Sequence, residues 1–192
     1  DIGLHRRTNE DRFVAAPPLF AVCDGMGGAE AGEVAAGLAA ETLLTRFAAG
    51  EGIAAAARAA NAAVFAHASE HREESGMGTT LTAVVVDDDE ARFAHVGDSR
   101  AYRLRDGVLE QLTADHSLVG EMVREGRLTR EQAASHPHRS ILSRVLGTEA
   151  DVVVDEFSAD VRAGDVLLLC SDGLSSEVDD DVIARLLGAA EP

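Results

Sequence analysis

The order in which helix-like and strand-like segments follow one another constrains this chain most. Helical character is gathered in one early block. Alanine-rich sequence from about Ala29 to Ala49 has high helix propensity, although its larger residues form no single stripe. From Ile53, the residues Ile53, Ala57, Ala60, Val64 and Ala68 recur at helical spacing, with Arg58, Asn61 and Ser69 expected on the solvent side. Strand-like runs then come in hairpin-like groups. Leu81 to Val86 and Arg92 to Val96 flank an acidic turn, and Tyr102 to Arg105 and Val108 to Leu112 flank Asp106-Gly107. An earlier apolar run, Leu19 to Cys23, reads as a buried strand closed by a turn at Asp24-Gly25. Later runs at Val152 to Phe157 and Val166 to Cys170 also read as strands, and Val182, Ile183, Leu186 and Leu187 mark a last amphipathic helix that Asp179 is placed to cap. Regular strand-helix alternation is missing, which excludes a simple parallel sheet and predicts an α+β fold.

At 192 residues the chain suits a single domain, 1–192, with one substantial core. No apolar stretch approaches the ~20 residues of a membrane span. The formal charge is −17, and all 17 basic residues are arginine. Such a field repels nucleic acid and anionic membranes, and it repels phosphorylated substrates too unless local cations reverse its sign. Cys23 and Cys170 each end an apolar run and are expected as buried, reduced thiols. A cytoplasmic location is the expectation where no signal-peptide pattern is seen.

Three carboxylates share one setting. Val22-Cys23-Asp24-Gly25 and Leu169-Cys170-Ser171-Asp172-Gly173 place an aspartate and a glycine at the end of an apolar run, and Asp98 sits likewise in Val96-Gly97-Asp98-Ser99-Arg100. If the strands converge, these hard oxygen donors suit Mg²⁺ or Mn²⁺. Asp-Gly is also an ordinary turn pair, so spacing alone leaves both readings open.

Six segments in order carry a resemblance: Arg6-Arg7-Thr8-Asn9-Glu10-Asp11, Val22 to Gly28, Gly76-Met77-Gly78-Thr79-Thr80, Val96 to Arg100, Leu112 to Ser117, and Cys170-Ser171-Asp172-Gly173-Leu174. Over essentially its whole length the chain resembles the metal-dependent protein phosphatases of type 2C, particularly their bacterial branch. The resemblance implies a central β-sandwich of two antiparallel sheets flanked by helices, an α-β-β-α arrangement of four layers. It also implies hydrolysis of phosphoserine and phosphothreonine esters by a water activated between two Mg²⁺ or Mn²⁺ ions. Asp24 then matches the carboxylate that bridges the two ions, Gly25 a backbone-carbonyl ligand, and Asp172 a ligand of the second ion. Asp98 matches a ligand of a third, weaker ion, and Glu10 and Asp11 an acidic pair acting through bound water. Arg6 matches the phosphate-binding arginine, with Arg7 its neighbour on the opposite strand face. Residues 117–144 resemble the family's variable flap, which puts Arg139 and Arg144 near substrate. His5, His95 and His116 are read as structural, and His136-Pro137-His138 as an exposed pair.

The family's partners are phosphorylated proteins, with a serine/threonine kinase or its substrates among them, and a monomer is expected. One departure stands out. Family members end on an Asp-Asn pair whose aspartate is a core metal ligand, whereas the only asparagines here are Asn9 and Asn61. A chain trimmed at both ends, its sandwich incomplete at the C-terminus and its second metal weaker, is the expectation. The rival reading is an inactive pseudophosphatase that binds phosphoproteins or a kinase, and a second rival is a phosphoesterase for small molecules or nucleic acid.

Overall fold

A computed structural model describes residues 9–74 and 76–189. The chain runs β1 (Asp11–Ala16), β2 (Leu19–Met26), α1 (Ala29–Ala48), α2 (Ile53–Glu70), a 3₁₀ turn at Arg72–Glu74, β3 (Gly78–Thr79), β4 (Leu81–Asp87) and β5 (Glu90–Val96). It continues through β6 (Arg100–Arg105), β7 (Val108–Gln111), α3 (Leu118–Arg124), α4 (Arg130–Ala134), β8 (Asp155–Asp160), β9 (Val166–Cys170), α5 (Asp172–Ser175) and α6 (Asp180–Ala189). One antiparallel sheet has the order β1-β2-β4-β5-β8, with β3 paired to the end of β2, and the second has the order β7-β6-β9.

Strand alternation sorts the first sheet's side chains between two cores. Phe20, Val84, Phe93 and Phe157 are direct cross-strand neighbours on β2, β4, β5 and β8. This row faces the second sheet and packs with Ala101, Leu112, Leu167 and Leu169. Phe93 and Phe157 stack with ring centroids 4.9 Å apart, adding to their area burial. On the opposite face Leu19, Ala21, Ala83, Val85, Ala94 and Val96 meet α1 and α2. The missing stripe of large residues on α1 is explained here. Its buried face is made of alanines, with Ala31, Ala35, Ala36, Ala39 and Ala40 packed beside Leu43. Alanines on α1, met by Ala21, Ala83 and Ala94 among the larger residues of the sheet, let the helix lie close to the sheet at interior packing density. On the far side α6 packs against β6 and β7, burying Ile183. The layers are helix, sheet, sheet, helix, consistent with the α+β reading and as the family resemblance implies.

Local signals hold at several points. Thr129 and Gln132 form the reciprocal capping box at the start of α4, and β6 turns into β7 through Asp106-Gly107. The expected strand Val152 to Phe157 shifts: Val152 to Val154 lie outside regular structure and β8 runs Asp155–Asp160, while Val166–Cys170 is a strand as expected. Asn61 is a correction. Expected on the solvent side of α2, it is 1% exposed. Its amide donates to the carbonyls of Glu149 and Ala150, each at 3.0 Å, and accepts from the Gly147 N–H at 2.8 Å. A buried amide is tolerable because those three backbone bonds satisfy it.

Candidate metal and phosphate site

Asp24 does not end β2 in a turn. The strand continues through Gly25 and Met26, which pair with Thr79 and Gly78 of β3. Gly25 is required for a different reason: a Cβ there would sit 2.0 Å from the carbonyl oxygen of Gly32, so the strand and α1 touch through bare backbone. The Asp24 N–H donates to the Thr80 hydroxyl and the Thr80 N–H donates back to the Asp24 carbonyl, both at 2.9 Å. That hydroxyl lies 2.7 Å from the Ser99 hydroxyl, so one threonine ties the backbone of Asp24 to the turn that carries Asp98.

Asp11 is the direct cross-strand neighbour of Asp24. Its carboxylate accepts from the Ser171 hydroxyl at 3.1 Å, which draws the start of α5, and with it Asp172, toward β1. Asp24, Gly25, Asp98 and Asp172 line one cleft of about 530 Å³, together with Met26, Thr80, Thr148 and the segment from Ser140 to Val145. Arg144 is in that lining and Arg139 is not. Glu10 turns its carboxylate toward Gly32 at the start of α1. Arg6, Arg7 and His5 lie outside the described residues.

The electrostatics of the cleft are adverse to its own charges. Burial, then Asp11, then Asp172 push the Asp24 carboxyl up from 3.8 to about 8. Burial and the charges of Asp172 and Asp115 raise Asp98 to about 6, against a smaller opposing pull from Arg100. Among the described residues no three His, Cys, Asp or Glu side chains are gathered closely enough to hold one ion by themselves. Carboxylates that meet in pairs rather than in a closed cage suit a hard cation that keeps several waters. The donor set therefore fits Mg²⁺ or Mn²⁺ completed by backbone carbonyl and solvent.

The turn at Asp98 is held by two motif residues: Arg100, to which the sequence assigns no role, and His116, expected as structural. Arg100 makes a two-pronged bond to Asp115, with Nη2 at 2.7 Å from Oδ2 and Nε at 3.0 Å from Oδ1. His116 is 2% exposed. Its Nδ1 accepts from the Gly97 N–H at 3.0 Å, which leaves the proton on Nε2, facing Asp155 Oδ2 at 3.1 Å. Burial lowers its pKa below the usual histidine range. His95, packed on the same ring at 4.7 Å between centroids, is pushed down to about 4 by burial and by His116. Both cysteines are free and buried. Burial first, then the charges of Asp11 and Asp24, takes Cys23 up to about 12.

The profile of the family described as Protein phosphatase 2C matches residues 7–189. The chain belongs to the protein phosphatase 2C family. A curated relative, the serine/threonine protein phosphatase PstP of Mycobacterium tuberculosis, is 44% identical over 197 residues, which take in 100% of this chain and 38% of the relative. The chain thus spans well under half of that relative's length. Among solved structures, the M. tuberculosis phosphatase PstP/Ppp superposes with a TM-score of 0.92 at 43% identity, covering 100% of this chain and 83% of the other. The catalytic domain of PstP in complex with two manganese ions superposes with a TM-score of 0.88 at 40% identity, covering 100% and 83%. The sandwich architecture is the protein phosphatase 2C fold.

Proposed function

We propose that the protein is a metal-dependent serine/threonine protein phosphatase that hydrolyses phosphoserine and phosphothreonine esters in proteins. One observation carries the reading: Asp24, Asp98 and Asp172 line one cleft beside the backbone of Gly25, where burial and the neighbouring carboxylates raise Asp24 and Asp98, a setting that favours a divalent cation among them. Asp24, Asp172 and the Gly25 carbonyl are proposed to hold two core ions, with Asp98 serving a third and Glu10 and Asp11 acting through water. The similar catalytic domain that carries two manganese ions supports the choice of Mn²⁺ or Mg²⁺. Bound there, such ions would acidify water and neutralise phosphoryl oxygens. The chain's own residues supply the rest. Thr80 fixes the backbone of Asp24, Ser171 restrains Asp11, and Arg100 and His116 fix the turn of Asp98. Arg6 is proposed to bind the phosphoryl group through its planar fork, which counters the acidic field locally.

Residues 117–144 are proposed as a flap beside the substrate. Its proposed setting is signalling: phosphoproteins as substrates, a serine/threonine kinase as the opposing enzyme, and a monomer working in the cytoplasm. Among the described residues no helix is long and apolar enough to cross a membrane. The pseudophosphatase reading loses ground, because a pure binding module gains nothing from three aspartates gathered in one cleft and the similar proteins are named phosphatases. Release of phosphate from a phosphothreonine peptide tests the proposal. Turnover should need Mn²⁺ or Mg²⁺, stop on chelation, and fall by about 10³ or more in Asp24→Asn; metal-independent turnover, or full activity in that variant, would exclude this mechanism.

A further inference from the structure

His116 bonds to the Asp98 turn on one side and to the cleft-lining segment on the other, through both its backbone and its ring. Its backbone N–H donates to the Gly97 carbonyl at 2.8 Å while its ring Nδ1 accepts from the Gly97 N–H at 3.0 Å. Gly97 is thereby held at both of its peptide groups by one residue. It has no room to shift the other way. Its φ is +112, and a Cβ there would lie 2.6 Å from the Cβ of Thr80. The residue before Asp98 is therefore clamped between Thr80 and His116, and the direction of the Asp98 carboxylate follows from that clamp.

The other half of His116 faces the opposite wall. Its carbonyl accepts from the Ser143 N–H at 2.9 Å, and its Nε2 lies 3.1 Å from Asp155 Oδ2 and 3.2 Å from Arg144 Nη1, which itself donates to Asp155. Arg144 continues to the Val153 carbonyl at 3.1 Å. Ser143, Arg144 and Asp98 line the same cleft. We propose that His116 is a positioning residue, which aims the Asp98 carboxylate into the cleft through its double bond to Gly97 and ties that aim to the position of the Ser143-Arg144 wall. His116 itself is not part of the cleft lining. The inference rests on the proposed metal role of Asp98 and deepens it.

Two conservative replacements separate the halves of the ring. The Asn Oδ1 falls close to where Nδ1 was and can accept from the Gly97 N–H, whereas the Gln amide reaches the place of Nε2, where it can meet Asp155 and Arg144 but not the Gly97 N–H. The readouts are Mn²⁺ binding by calorimetry on the purified chain and amide exchange at Gly97, with the Asp98-dependent binding defined by Asp98→Asn. His116→Ala should weaken that component about tenfold, as outer-shell replacements do, and should speed exchange at Gly97. His116→Asn should restore both to within about threefold, and His116→Gln should not. On the Asp98→Asn background His116→Ala should cause no further loss. Asn and Gln variants that behave alike, or a His116→Ala loss that persists on that background, would overturn the inference alone. Wild-type Mn²⁺ binding that is indifferent to Asp98→Asn would remove the metal role of Asp98, and the inference with it; no Mn²⁺ binding at all would remove the proposed function.

Discussion

Asp24→Asn should have opposite effects on stability with and without metal. In chelator, the wild-type carboxyl is raised from 3.8 to about 8 by burial and by Asp11 and Asp172. A carboxyl raised in the folded state makes folding weaker as pH climbs: stability is greatest below the unfolded value, declines from there until the folded value is passed, and levels off beyond it. At neutral pH roughly three units of that shift are in force, each about 1.4 kcal/mol. Asp24 keeps partial access to water, so solvent screening brings the cost down to about 2–3 kcal/mol. Asparagine has the shape of the protonated acid and cannot ionise. In EDTA at neutral pH the variant should therefore be the more stable protein by about 2 kcal/mol, with a flatter pH profile, and near pH 4 the two should converge. Excess Mn²⁺ should reverse the order, since about 100-fold saturation above Kd adds ~2.7 kcal/mol to a protein that binds the ion and nothing to one that does not. Urea titrations followed by far-UV circular dichroism, at several pH values in EDTA and in Mn²⁺, measure all of this. A variant less stable than wild type in EDTA at neutral pH would refute the account of a cleft strained by its own charges.

Asn61→Ala removes three bonds to the 147–150 backbone from a fully buried site, and should lower the urea-derived stability by about 3 kcal/mol while speeding amide exchange at Gly147. Cys170 is held up to about 11, chiefly by burial, and Cys23 to about 12, so both thiols should ignore a disulfide reagent near pH 8 in the native state and react fully in denaturant.

Much of the fold was legible because its signals are local. The helix block, the β4-β5 and β6-β7 hairpins and the Thr129-Gln132 cap each depend on residues a few positions apart. The misread positions depend on distant partners. Asn61 looks like a solvent residue on a helical wheel, and only a loop more than 80 residues away makes it a core residue. Asp24-Gly25 looks like a turn, and only the backbone of α1 pressing on Gly25 shows why a glycine stands mid-strand. The aspartates were visible one by one as strand-end acids, yet their meeting came from family resemblance, because spacing carries no information on convergence between β2 and α5. Thr80 and Ser171 stood inside the matching segments without roles, and His116 stood there as structural with no partner named, since a hydroxyl or imidazole that positions another group looks the same in sequence as one that does not.

The alanine layer has a consequence for the cleft. Gly25 carries the proposed carbonyl ligand and meets Gly32 of α1 through bare backbone, so the height at which α1 rides on the sheet also sets where that carbonyl stands. That height is fixed by Ala35, Ala36 and Ala39, none of which lines the cleft. A methyl group added there acts as a shim: it tilts the helix, levers β2 at Gly25, and detunes the ion site from a distance while leaving every acidic residue in place.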